Sequence, residues 1–349
     1  MPSLKIYQRT DLLSLTALRN GESKLGQTAQ VLPHSDLKDL EKVSAKWVLL
    51  GVPEDIGVRA NKGVAGANSA FKPALQAICN VQSNSYLNGE ELLVLGEVDC
   101  TDLMDDAKEI NENAEGGDKG LSDLVEDLDE YLANLIETIV SYGKTPILIG
   151  GGHNNAYPRL KGASHGFGME TGINCFNCDP HSDFRELEGR HSGNGFSYAY
   201  SKGYLRKYFL FGYHENYNNQ HCIDALRALG DKCKRISYDA MVVRKETSFD
   251  YQLERAVIFT RHNPCGIEID LDSIQNMPSS AMGPSGFTID QMRTLIYKLG
   301  YSTHCAYLHL AEGAPALDAY ADKNFGKAVA YLVTDFLKAQ KRKLKESIS

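Results

Sequence analysis

Two rhythms of apolar residues run along this chain. Short apolar or β-branched runs read as strands at residues 47–50, 91–95, 145–149, 173–178, 208–211, 256–259, 266–272 and 306–310. Between them the spacing changes to three and four. Leu121, Leu124, Val125, Leu128, Leu132, Leu135, Ile136 and Ile139 put one apolar stripe on a helix over residues 121–142. Weaker patterns predict helices over 70–78, 288–299 and 324–345. The second carries a Thr288…Gln291 capping box and Gly300 just past its end, and the third has a basic end that suits its dipole. Strands alternating with helices predict an α/β protein with a mostly parallel sheet covered on both faces. Residues 104–120 are acidic with Gly and Asn, and read as a solvated loop. Residues 1–44 are polar and mixed, and read as an N-terminal extension packed on the domain or on a neighbouring subunit. Residues 45–349 show no internal repeat or strong boundary and read as one domain.

Composition narrows the classes. A net charge of −8 over 349 residues argues against a nucleic-acid or anionic-membrane partner. No apolar run is long enough to span a bilayer. The start, Met1-Pro2-Ser3-Leu4-Lys5, lacks the features of a signal peptide, so a cytoplasmic protein is expected. Eight cysteines are too sparse for a disulfide scaffold. Cys175 and Cys178 sit in an apolar strand with no second CxxC nearby, and read as buried core thiols.

Three runs, each following a predicted strand, carry the chemistry: Gly150-Gly151-Gly152-His153, Asp179-Pro180-His181-Ser182-Asp183 and Asp270-Leu271-Asp272. Ligands bind beyond strand ends in an open α/β sheet. The glycine run has no following Lys-Ser/Thr, which excludes a P-loop. Taken alone, His153 reads as a packed histidine and Asp270-Leu271-Asp272 as the wet face of an amphipathic strand. Together the runs offer four carboxylates and two imidazoles, a hard donor set suited to Mn²⁺ or a similar divalent ion. Six ligands exceed what one tetrahedral ion needs, so a two-metal hydrolytic centre is expected. If the strands ran on, the side chains at 179, 181 and 183 would face one way, as would Glu268, Asp270 and Asp272.

These runs resemble the GGGH, DxHxD and DxD signature of the ureohydrolase (arginase) family, in order, from about Trp47 to the C-terminus. Ala311-Glu312-Gly313-Ala314-Pro315 is similar to that family's acidic substrate loop. The resemblance implies a three-layer α/β/α fold with a mostly parallel eight-stranded sheet, a catalytic domain over residues 45–349 and two Mn²⁺ ions per subunit. It places one ion on His153, Asp183, Asp179 and Asp270, and the other on His181, Asp272, Asp179 and Asp270. It further implies a homo-oligomer. Glu268 stands where many members have Ser.

Substrate class turns on the loop after Asp183. Phe184-Arg185 directly after the DxHxD run, and Phe196 where arginases carry a proton-transferring histidine, resemble formimidoylglutamases. Ser192 and Asn194 resemble arginases. The expected substrate is therefore a small amidine or guanidine. N-formimidoyl-L-glutamate, cleaved to glutamate and formamide in histidine degradation, comes first, and L-arginine is the alternative. Asp183 is expected to carry a proton, Glu312 to face the cationic amidine, and Arg185, Ser192 and Asn194 to contact substrate. Arg185 reads equally as a surface residue paired with Glu186 or Glu188. A metal-free binding or regulatory protein of the same fold is disfavoured, because all six ligand positions are filled.

Overall fold

The apolar runs form a nine-stranded sheet in the computed structural model, which describes residues 1–34, 36–111, 116–318 and 322–348. The strands are β1 (Ser3–Ile6), β2 (Trp47–Gly51), β3 (Leu92–Asp99), β4 (Thr145–Ile149), β5 (Ile173–Cys178), β6 (Leu205–Tyr213), β7 (Cys233–Ser237), β8 (Cys265–Asp270) and β9 (Cys305–Ala311). Their spatial order is β1-β3-β2-β4-β9-β8-β5-β6-β7. All neighbours pair in parallel except β1, which runs antiparallel to β3 with Ser3 opposite Asp99.

The count is nine where eight were expected, and the N-terminal segment contributes to the sheet as an edge strand. The rest of that segment is anchored too, with Leu12, Leu25, Ala29 and Leu40 buried. Successive residues of each strand enter opposite layers. Trp47, Leu49, Ile147 and Ile149 pack with the helices Phe71–Cys79, Phe249–Thr260, Ile289–Ser302 and Asp322–Ile348. Val48, Leu50 and Leu148 pack with Gly117–Ser141 and Ala156–Gly166. The result is a three-layer α/β/α fold.

Three local expectations are corrected. Residues 256–259 close the helix Phe249–Thr260 and are not a strand. Residues 101–109 are helical, because Leu103 and Ala107 bury one face of an otherwise acidic segment. Of the expected 104–120 loop, residues 112–115 lie outside the described residues, and the long helix already begins at Gly117. Gly300 lies inside a helix that runs on to Ser302, while Thr288 and Gln291 do form the capping box. All eight cysteines are free and buried. No helix among the described residues is long and apolar enough to cross a membrane.

Candidate metal centre

β4, β5, β8 and β9 lie side by side at the middle of the sheet, so the turns that leave their C-terminal ends meet over one spot. The turn after β4 needs its glycines. Gly150 and Gly151 take φ of 92° and 76°, and a Cβ on Gly151 would stand 2.3 Å from Asn155 Nδ2. The side chain of Glu54, wholly buried, fastens this turn. It accepts hydrogen bonds from the Gly152 amide at 3.0 Å, the Ile56 amide at 2.8 Å, and the side-chain amides of Asn154 and Asn155. His153 then points into the core with no exposed surface.

The two acidic runs share a different device from the strand alternation expected. β5 ends at Cys178, and Asp179 Oδ1 accepts the His181 amide at 2.7 Å. β8 ends at Asp270, whose Oδ1 accepts the Asp272 amide at 2.7 Å. Each carboxylate thus ties its own turn with one oxygen and turns the other toward His153. Asp179 Oδ2, Asp183 Oδ2 and Asp270 Oδ2 lie 3.1, 2.9 and 3.6 Å from His153 Nδ1. On the outer side His181 Nδ1 lies 3.5 Å from Asp179 Oδ1 and 3.8 Å from Asp272 Oδ2. Asp183 and Glu312 hold φ of 45° and 65°. Such strain in non-glycine residues clusters at functional sites.

These contacts fit cations. His153 Nδ1 makes no hydrogen bond despite three carboxylate oxygens around it, so the atoms sit side by side around a point. Two atoms bound to one ion at about 2.1 Å and about 90° apart lie about 3.0 Å from each other. The ligand atoms fall into two overlapping groups, His153–Asp179–Asp183–Asp270 and His181–Asp270–Asp272. Burial, then the charge of Asp179, pushes the Asp183 carboxyl up to about 6. Burial, then Asp272, pushes Glu312 up to about 8. Burial, with Asp272 and Asp179 beside it, also raises Asp270. Burial works against the Asp179 charge as well, but His153 and His181 outweigh it and hold that carboxyl below the usual range. Crowded buried carboxylates of this kind are neutralised by a divalent ion.

A cavity of about 170 Å³ opens over the centre. Its walls include Asp183, Arg185, Ser192, Asp270, Asp272 and Glu312. Glu312 is held by the His153 amide and the Ser280 hydroxyl, each at 2.6 Å. Arg185 is half exposed, with Nε 3.3 Å from Glu188 Oε1. Asn194 is not at the wall. It is wholly buried, and its amide bonds the carbonyls of Glu186 and Gly189, the His191 amide and Arg190. Phe196 is core, its ring edge-on to His153 at 5.2 Å. The sequence reading missed Asn61, which donates to the Ser192 hydroxyl at 3.2 Å, and the wall residues Tyr217, Asn218 and Asn219. It also missed Arg190, buried against Asp129 at 2.8 Å, which fastens the loop beneath Arg185. Only an Arg inside a polar loop marked it in the sequence. A larger cavity of about 910 Å³ lies between β1 and the helices Phe71–Cys79 and Asp322–Ile348, and holds none of the clustered ligands.

Fold and site together define an α/β protein with a buried cluster of imidazoles and carboxylates at the strand ends that could hold metal. The chain belongs to the arginase family, whose sequence model matches residues 45–337. It is 32% identical over 152 residues to a formimidoylglutamase of Geobacillus sp. (strain WCH70), a match spanning 43% of this chain and 40% of that protein. It is 25% identical over 291 residues to a formimidoylglutamase of Chromobacterium violaceum, spanning 81% of this chain and 84% of that protein. The solved structure of Trypanosoma cruzi formiminoglutamase with Mn²⁺ superposes with a TM-score of 0.70 at 19% identity, covering 91% of this chain and 98% of that one.

Proposed function

We propose that this protein is a metal-dependent amidine hydrolase that converts N-formimidoyl-L-glutamate and water to L-glutamate and formamide. The observation that carries the reading is the convergence of three carboxylate oxygens on the unbonded His153 Nδ1 within 2.9–3.6 Å. His153, Asp179, Asp183 and Asp270 would hold one ion, and His181, Asp272 and the shared carboxylates the other. Imidazole and carboxylate donors suit Mn²⁺. When bound, such ions acidify a water toward neutral pH and stabilise charge developing on the substrate.

The chain's own groups do the rest. Glu312 receives the cationic formimidoyl end. Asp183, at the cavity wall, carries a proton to the glutamate nitrogen as its bond to the formimidoyl carbon breaks. Arg185 takes a substrate carboxylate in a bidentate pair, leaving Glu188 to do so. Ser192, steadied by Asn61, adds a hydroxyl. The choice of a dicarboxylate is supported by Arg185 at the cavity and by the formimidoylglutamase relatives. It is also supported by Asn194, whose amide is spent inside the loop and so cannot serve the arginase-like role that opposed this reading.

Side-by-side assays with Mn²⁺-loaded protein test it. Formamide release from N-formimidoyl-L-glutamate should exceed urea release from L-arginine, and Arg185→Met should raise KM for the dicarboxylate. Faster urea release would overturn the substrate. Full activity without a transition metal, by elemental analysis, would overturn the centre.

A further inference from the structure

Behind His153 the sheet buries a second polar cluster that the proposed reaction does not use. Glu268 and His309 are direct partners across β8 and β9, and both are wholly buried. His309 Nδ1 lies 2.5 Å from Glu268 Oε2. Arg159, from the helix Ala156–Gly166, is buried as well and brings Nη1 to 3.0 Å from His309 Nδ1. Glu268 Oε2 stands 3.5 Å from His153 Nε2, facing it without yet closing a hydrogen bond, on the side of that ring opposite the Nδ1 that meets Asp179, Asp183 and Asp270.

His153, Glu268 and His309 also offer three clustered ligand atoms, but a third cation does not suit them. The Arg159 guanidinium already occupies that neighbourhood and supplies the positive charge that the buried carboxylate needs. A different role follows from where the cluster stands. Metal-bound imidazoles commonly give their remaining N–H to a carboxylate, which fixes the tautomer and the plane of the ring.

We propose that Glu268, held by His309 with the Arg159 charge behind that imidazole, is a positioning residue. It takes the Nε2–H of His153, leaves the Nδ1 lone pair as the ligand, and so sets the affinity of the inner ion alone. The outer ion, on His181 and Asp272, lies beyond its reach. This rests on the two-ion reading.

The test is Mn²⁺ titration of metal-stripped wild-type protein and Glu268→Gln, followed by calorimetry and by electron paramagnetic resonance. Wild type should take two ions and give a spin-coupled spectrum. Glu268→Gln should hold one ion as tightly as wild type and the other about 10–100-fold more weakly, giving an uncoupled six-line spectrum at limiting Mn²⁺. Equal weakening of both ions, or no weakening in a folded variant, would overturn the positioning role. A wild-type protein that takes fewer than two ions would bring down the two-ion reading itself, and this proposal with it. His309→Gln, which frees the Glu268 carboxylate to turn away, gives the second variant should Glu268→Gln not fold. The same selective loss is expected, and its absence counts against the proposal in the same way.

Discussion

Replacing Arg190 by Met should separate the loop that carries Arg185 from the scaffold beneath it. The guanidinium gives Nε to Asp129 at 2.8 Å, Nη1 to Asn194 Oδ1 at 2.6 Å and Nη2 to the Asn154 carbonyl at 2.7 Å. It lies between the rings of Tyr157 and Tyr198, 5.0 and 4.9 Å from their centroids. Met fills much of the aliphatic volume, so little cavity is created. What is lost is one partner of a buried ion pair, about 3–5 kcal/mol, from a protein whose whole stability is of the order of 5–15 kcal/mol. Asp129 supplies an internal check. Burial, against the pull of Arg190, already pushes its carboxyl up to about 6, and loss of Arg190 raises it further. A raised carboxyl stabilises the fold when protonated and costs stability as pH rises through its folded value. The penalty of Arg190→Met should therefore be near 4 kcal/mol at pH 7.5 and smaller by about 1–2 kcal/mol at pH 5.5. Urea denaturation of the metal-free proteins at both pH values measures this. Asp129→Asn combined with Arg190→Met should recover part of the loss. In folded, Mn²⁺-loaded Arg190→Met, KM for the dicarboxylate should rise more than kcat falls. A penalty below about 1 kcal/mol, or one independent of pH, would refute the assignment of this pair as the fastener of the loop.

Two further outcomes are expected. Asp183→Asn should lower kcat by about 10²–10⁴-fold with a smaller change in KM, and wild-type turnover at equal metal content would remove its proton-carrying role. Burial, with Arg185 and Arg190 nearby and against the pull of Glu188, lowers the His191 imidazole to about 4. The unfolded chain takes up this proton near pH 6.5 and the folded chain near 4, so stability falls as pH drops through that window, by about 2–3 kcal/mol. In the metal-free state His191→Asn should lose correspondingly less stability between pH 7 and 4.5, and parallel curves would refute this.

The centre of the sheet was legible because its strands are buried on both faces and carry mostly apolar runs. β4 and β5 begin and end where the pattern places them. β1 and β7 were invisible for the opposite reason. Ser3–Ile6 and Cys233–Ser237 are edge strands with half-exposed, lysine-bearing sequences that resemble loops. The run Ala256-Val257-Ile258-Phe259 misled because four apolar residues fit either period. In the helix Ala256 and Val257 are buried while Ile258 is 55% exposed. The ligand runs were legible as composition, but their geometry was not, since a turn closed by a carboxylate on its own i+2 amide looks like alternation in the sequence. Glu54, Arg159, Arg190 and His309 gave almost no local sign, because these contacts join residues 36–150 positions apart.

The strand order also governs when the chain can become competent. β4 belongs to one half of the sheet, β1-β3-β2-β4, and β5 and β8 to the other, β8-β5-β6-β7. Among the described residues the strand that bridges them is β9. That strand is the last to be synthesised, at residues 305–311. A growing polypeptide can build both halves early, yet His153 and the acids it meets remain on separate pieces until β9 slides between β4 and β8. Hydrolytic capacity is therefore withheld until β9 has joined the sheet, and a chain ended between β8 and β9 is left with two half-sheets whose open edges are aggregation-prone, in place of a partly working catalyst.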